Sequence, residues 1–396
     1  MPSLYTVQPF KGVYIVSQGL FTLFVRLPFF ALWYIVPANR PETKWTYKRA
    51  FITASLRNVL GFLAKTGAFP SGPDHRALVE GAKAVWIPAA PDLVVGRVKG
   101  WAEEPNIESV SIPGYWYEKK GTSREATARA QPGEKVVLGF HTGAYAIGSA
   151  SPKDGWHVFM QGIVDAASNV DRAFAVEYRK SRPPPDAIQF PAALIDALAA
   201  YNYLIKDLGY QPEDIIIAGD SSGGNLALAV VRHLVENREQ HGNVLPPPPG
   251  GMILVSSYAD LGHSDMEKGA SSSVFYNLRY DMYSQADINV PRANFLGSFG
   301  RDGARSNPYI SPASEAPTME PVSFKGFPRT LNLVGKLEIL RDQNRVLNER
   351  MTKDLGEDMV TYVEFPEAIH DFVVSPWHEP EHSESFQVIA KWLRSE

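Results

Sequence analysis

Cysteine is missing from all 396 residues, which excludes disulfide cross-links, a thiolate nucleophile and any cysteine-ligated metal. No Asn-x-Ser/Thr sequon occurs either, so nothing marks the chain as a glycosylated secreted protein. An excess of one charge is also lacking. With 39 Lys and Arg against 43 Asp and Glu the net charge is −4, and there is no long basic run. A nucleic-acid partner is therefore not expected. The sequence has neither a P-loop nor a Gly-rich dinucleotide loop, and no cofactor or metal is expected. What is present is ordinary globular composition, 44% hydrophobic and 21% charged. The length suits one large α/β domain with an appended cap, or two smaller domains.

One segment departs from that composition. Residues 13–36 carry a single charge, Arg26, among Phe, Leu, Val, Ile, Trp and Tyr. A helix of that length crosses roughly 30 Å of hydrocarbon. Arg26 near its middle and Pro28, which bends a helix, count against a plain span. A cleaved signal peptide fits poorly, because the stretch is long and ends in aromatic residues without a small-residue cleavage site. Two readings follow: a membrane span or in-plane anchor with an endoplasmic-reticulum-type location, or a cap helix buried by protein in a cytoplasmic molecule. For a span, Arg40, Lys44, Lys48 and Arg49 outweigh Lys11 and favour a cytosolic remainder of the chain.

Residues 37–41 break the apolar run, and residues 45–64 have helical spacing with Tyr47, Phe51, Leu56, Leu60 and Leu63 on one side. The expected domain boundary lies at 85/86. A strand is expected at 110–118, and a βα rhythm follows. Strands are expected at 134–140, 171–178, 215–218, 252–258, 330–334 and 360–365, with helices at 191–208, 226–234, 341–355 and 383–394. Such alternation predicts a mostly parallel sheet covered by helices on both faces. Residues 261–306 lack the rhythm and are read as an insertion forming part of a lid.

The chemistry is concentrated at residues 219–223, Gly-Asp-Ser-Ser-Gly, which fit G-x-S-x-G between an apolar strand and an apolar helix. Such a bend needs small residues two positions either side of the serine and presents its hydroxyl at the helix N-terminus. Ser221 is the candidate nucleophile, and it needs a base held by an acid. Of six downstream histidines, His233 and His241 are expected to be solvated and His263 falls in the lid. His370 lies in the loop after the strand 360–365, where a catalytic imidazole belongs. Glu338 and Asp342 both follow the strand 330–334; one can orient His370 and the other can cap the next helix. For a developing oxyanion, the N–H of Ser222 and those of Gly143 and Ala144 in the loop 141–144 are the candidate donors.

Together these motifs resemble the hormone-sensitive-lipase-like group of α/β-hydrolases. The oxyanion loop His-Gly-Gly-Gly/Ala of that group is similar to His141–Ala144, its Tyr-Arg pair to Tyr178-Arg179, and its Phe-Pro-Ala-Ala-Leu to residues 190–194. Its elbow Gly-Asp-Ser-x-Gly-Gly-Asn-Leu-Ala matches residues 219–227, its Asp-Pro-Leu-x-Asp resembles residues 338–342, and its His-Gly-Phe resembles residues 370–372. The resemblance covers about residues 134–394 and places the acid at Glu338. It implies an α/β-hydrolase fold with a cap built from the N-terminal segment and the insertion. The N-terminus is also similar to that of fungal steryl acetyl hydrolases. The activity implied is that of a serine carboxylesterase or deacetylase acting through an acyl-enzyme on a short-acyl ester of a lipophilic alcohol. The alternative is a biosynthetic enzyme of the same fold performing elimination, cyclisation or acyl transfer. A non-catalytic receptor is a third class, disfavoured by the presence of His370. Three positions depart from the pattern: Thr142 and Asp371 replace glycines, and Glu338 replaces aspartate.

Overall fold

The computed structural model describes residues 4–69, 72–122, 124–283 and 285–395. An eight-stranded sheet runs in the order β1-β2-β4-β3-β5-β6-β7-β8. Its strands are β1 (Ala84–Ile87), β2 (Ile112–Glu118), β3 (Val136–Phe140), β4 (Arg172–Val176), β5 (Ile215–Asp220), β6 (Gly251–Val255), β7 (Arg329–Gly335) and β8 (Val360–Phe365). β2 is antiparallel to both β1 and β4, and every other pair is parallel. The fully buried runs Val-Val-Leu-Gly-Phe and Ile-Ile-Ile-Ala-Gly-Asp form the central strands β3 and β5, as expected of parallel strands covered on both faces. β1 was not expected from the sequence; it is only four residues long, and it straddles the expected boundary at 85/86.

Two apolar layers cover the sheet. Helices Ala192–Lys206, Ser222–Glu236 and Arg341–Leu355 pack on one face. Helices His157–Ala166 and Glu381–Arg394 pack on the other. Pairing of Gly219 with Phe140 and Leu254, and of Gly335 with Phe365, aligns the C-terminal ends of β3, β5, β6, β7 and β8 along one edge. The loops that leave this edge carry all the candidate site residues.

Among the described residues, 261–306 contain three α-helices, Ser273–Tyr276, Gln285–Leu296 and Gly300–Ser306, and no strand. A small third core joins this insertion to the N-terminal region through Trp45, Ala50, Tyr280, Met282 and Ile369. Helix Tyr47–Thr66 starts on Thr46, whose hydroxyl accepts from the Arg49 N–H (3.1 Å). The helix is fastened to the C-terminal region by a buried ion pair between Arg49 and Glu381.

The apolar helix runs Phe10–Trp33. A π-type turn at Thr22–Arg26 precedes Pro28, where the ring would otherwise meet the preceding turn. Protein does not bury this helix: Val13, Phe24 and Leu32 are 67%, 69% and 70% exposed. Arg26 donates to Gln18 Oε1 (2.8 Å) and Thr22 Oγ1 (3.2 Å), and Asn58 Nδ2 of helix Tyr47–Thr66 donates to the same Thr22 oxygen (2.8 Å).

Candidate active site

The elbow is dictated by its glycines. A Cβ on Gly219 would lie 2.1 Å from the Gly223 carbonyl oxygen, and one on Gly223 would lie 2.0 Å from that of Phe140. Only glycine permits this approach, which folds the chain from β5 into helix Ser222–Glu236 within one residue. That residue, Ser221, sits at φ 55° and ψ −114°, a strained conformation for a side-chain-bearing residue. Its Oγ lies 3.0 Å from His370 Nε2.

Glu338, in the turn after β7, is fully buried. Its Oε2 accepts from Ser256 Oγ (2.6 Å) and the Gly335 N–H (3.2 Å). Its Oε1 and His370 Nδ1 are both buried without a hydrogen-bond partner among the described residues, so the two groups interact through space. Burial pushes the Glu338 carboxyl up to about 8, against the opposing pull of His370, Ser256 and Gly335. For His370, burial lowers the pKa, but the carboxylates of Asp371, Glu338 and Asp281 together outweigh it and raise the imidazole above its ordinary value. Asp342 is placed elsewhere. It accepts from the Ser273 N–H (2.8 Å) and Tyr276 Oη (3.3 Å), tying down a helix of the insertion.

In the loop after β3, the positive φ angles fall on Gly143 (118°), Ala144 (50°), Tyr145 (62°) and Gly148 (80°), and not on Thr142. The threonine therefore occupies its position without the backbone strain that replacing a left-handed glycine would bring. Ala146 and Ile147 both donate to the Gly143 carbonyl (3.0 Å each), leaving the N–H groups of Gly143 and Ala144 without an acceptor among the described residues. The N–H of Ser222, first in its helix, has no intrahelical acceptor. His141 is a structural residue. Its ring stacks on Tyr178 (centroids 4.0 Å apart), its carbonyl accepts from Tyr178 Oη (2.7 Å), and burial lowers its pKa to about 3. Arg179 is held by buried Asp196 in a two-pronged pair (2.8 and 3.0 Å).

Sequence reasoning missed several contributors. Asp281, in the insertion, is buried and accepts from the Ile339 N–H (2.7 Å) and the His370 N–H (3.3 Å). Tyr283 and Tyr258 line the cleft, together with Leu60, Phe69, Ile147, Ile339 and Leu340. Tyr145 Oη donates to Asn225 Oδ1 (2.7 Å), joining the loop after β3 to the elbow helix. The Asn225 of the Gly-Gly-Asn run was the available signal. Asp281 had none, because its segment shows no periodicity. His233, expected to be solvated, is fully buried, and its Nε2 contacts the Leu93 carbonyl (2.9 Å), a partner remote in sequence.

One pattern bears on metal binding. Residues 378–382, His-Glu-Pro-Glu-His, have the H-E-x-x-H spacing that binds zinc when both histidines share a helix face. Here Pro380 is the N-cap of helix Glu381–Arg394, so His378 precedes the helix. His382 Nδ1 contacts the Val373 carbonyl (2.8 Å), and no group of three potential ligands among the described residues is arranged to hold an ion.

A protein-family model described as alpha/beta hydrolase fold matches residues 137–374. An acetyl-hydrolase of Streptomyces hygroscopicus is 31% identical over 264 residues, 66% of this chain and 76% of that protein. An esterase of Acinetobacter venetianus is 29% identical over 217 residues, 54% of this chain and 61% of that protein. The crystal structure of an esterase from the bacterial hormone-sensitive lipase family superposes with a TM-score of 0.57 at 23% identity, covering 86% of this chain and 97% of that one.

Proposed function

The chain belongs to the α/β-hydrolase fold family, and from that premise we propose that it is a serine carboxylic-ester hydrolase working through an acyl-enzyme. The observation that carries this reading is the 3.0 Å approach of Ser221 Oγ to His370 Nε2 beside unengaged backbone N–H groups. Ser221 Oγ bonds to the ester carbonyl carbon as its proton passes to His370 Nε2. The N–H groups of Gly143, Ala144 and Ser222 receive the developing oxyanion, each worth about 3 kcal/mol of transition-state stabilisation. The carbon–alkoxide bond then breaks, and the alcohol leaves with the proton from Nε2. Water, deprotonated by the same nitrogen, adds to the acyl carbon, and the carbon–Oγ bond breaks as the proton returns from Nε2 to Ser221 Oγ, releasing the acid. Glu338 stabilises the imidazolium formed in each half.

The substrate we infer is a short-acyl ester of a lipophilic alcohol. Support comes from the apolar lining of the cleft and from the name of the acetyl-hydrolase relative. Leu60 and Phe69 from the N-terminal region and Tyr283 and Pro291 from the insertion line that cleft, which supports the division into a hydrolase domain and a two-part cap. The exposed apolar surface of helix Phe10–Trp33 supports membrane attachment. Two of the four cations that follow it have structural roles: Arg49 is buried against Glu381, and Arg40 donates to the Tyr34 (3.1 Å) and Trp45 (2.7 Å) carbonyls.

The test is labelling with a fluorophosphonate followed by peptide mapping. The expected adduct is on Ser221, and Ser221→Ala abolishes both the adduct and p-nitrophenyl acetate hydrolysis. Turnover of substrate with Ser221 unlabelled would instead favour the elimination or cyclisation chemistry.

A further inference from the structure

Two of the three departures from the family pattern meet in space. Asp371 Oδ1 accepts from Thr142 Oγ1 (3.3 Å), so the residue beside the catalytic-loop histidine is tied to the loop after β3. Its Oδ2 accepts from Tyr283 Oη of the insertion (3.4 Å). The same Oδ1 lies 3.3 Å from His370 Nε2, on the ring edge that also faces Ser221. Asp371 adopts φ 60°, which turns its carboxylate back along its own neighbour's imidazole. The third departure is Glu338, whose Oε1 makes no hydrogen bond among the described residues, as His370 Nδ1 likewise makes none.

We propose that Asp371 is a second carboxylate for the catalytic imidazole, a positioning residue that holds the Nε2 edge of His370 and stabilises the imidazolium from the side opposite Glu338. The proposal rests on the serine-hydrolase reading above. When the proton of Ser221 Oγ reaches Nε2 and the Oγ–carbon bond forms, the new positive charge arises beside Asp371. When the alkoxide departs, the proton moves from Nε2 to the leaving oxygen and Asp371 keeps no proton of its own. Thr142 and Tyr283 act by fixing the carboxylate. The other groups that act on this ring are the carboxylates Glu338 after β7 and Asp281 of the insertion, with Tyr283 packed edge-on and Ser221 at Nε2; Asp220 at the end of β5 acts beside Asp371, and Arg57, whose Nε donates to the Asp281 carbonyl (2.6 Å), acts on Asp281. Asp220 is fully buried, and among the described residues no donor hydrogen-bonds to either oxygen. Burial and the neighbouring Asp371 raise its pKa well above the carboxylate range.

The experiment compares the full-length parent with Asp371→Asn and Asp371→Gly, both residues that accept a left-handed backbone. It reads the fluorophosphonate labelling rate and the pH profiles of kcat and kcat/KM on p-nitrophenyl acetate. Because Asp371 raises the His370 pKa, its neutralisation moves the acid limb of kcat/KM to lower pH by about one unit and cuts plateau kcat about tenfold. Asn retains an oxygen for Thr142 and Tyr283, so the same limb shift in Asn and Gly assigns it to the charge. A parent that labels at Ser221, with variants whose acid limb and kcat are unchanged, overturns this proposal alone. A parent that does not label removes the hydrolase reading and this proposal together.

Discussion

Two apolar regions of this molecule meet opposite surroundings. In β5 the run Ile215-Ile216-Ile217-Ala218 is wholly buried between two helical layers. In helix Phe10–Trp33 a longer run of Val, Leu and Phe lies open, with only 6% of its most apolar window buried. Hydrophobicity alone therefore does not say what covers a segment; the period and the neighbours do. β5 is short, flanked by strands on both sides and followed by a bend that only glycine permits. The helix packs against helix Tyr47–Thr66 and meets it through a polar cluster of Gln18, Thr22, Arg26 and Asn58. One region is enclosed by this chain; the other, among the described residues, is not.

The comparison can be broken first at the bend. Ser221→Ala is expected to lower kcat on p-nitrophenyl acetate by about a million-fold while leaving the thermal midpoint essentially unchanged. Retention of the parent rate would detach the chemistry from β5. Next is the link between the two regions. Glu381→Gln leaves the buried Arg49 guanidinium with Glu367, 3.9 Å away, in place of its close counter-charge and is expected to cost about 3 kcal/mol. Protection against proteolysis should be lost around residues 36–46 before the sheet melts.

Acid sharpens the same distinction. Burial raises the Glu381 carboxyl, but His378 and Arg49 outweigh it and hold it down to about 2. Its folded value is below its unfolded one, so its stabilisation is complete above about pH 4.5 and is lost as pH falls toward 2. Hydrogen exchange in helix Tyr47–Thr66 should therefore rise on acidification ahead of exchange in β5. The smallest effect on the sheet is expected from deleting residues 1–35. The thermal midpoint should move by no more than about 2 °C, whereas flotation with phosphatidylcholine vesicles should disappear. A deletion that still floats would move membrane contact elsewhere in the chain.

Most of the sheet was legible because parallel strands covered on both faces must be largely apolar runs, as β3, β5 and β6 are, while the edge strand β8 (Val-Thr-Tyr-Val-Glu-Phe) is only part-buried and was read from its βα spacing. β1 was not, since Ala84-Val85-Trp86-Ile87 is too short to show a period. Ser221 was legible because its bend constrains its neighbours in sequence, and His370 because it follows β8 directly. Asp281 could not be read, because its partners Ile339 and His370 come from two other loops and only packing brings them near. The burial of His233 depended likewise on Leu93, far earlier in the chain. Thr142 and Asp371 stood out as departures, but that they touch one another could not be read from their spacing of 229 residues.

Asp281 has a consequence for how substrate reaches Ser221. It belongs to the insertion over the cleft, yet it takes main-chain N–H groups from the loop carrying Glu338 and from His370 itself. A cover stitched to both loops cannot swing outward as an independent flap; lifting it would slacken the geometry on which proton transfer depends. Admission by that route and turnover would then be mutually exclusive states. A molecule slipping in past Leu60 and Phe69 would meet a centre already set for reaction.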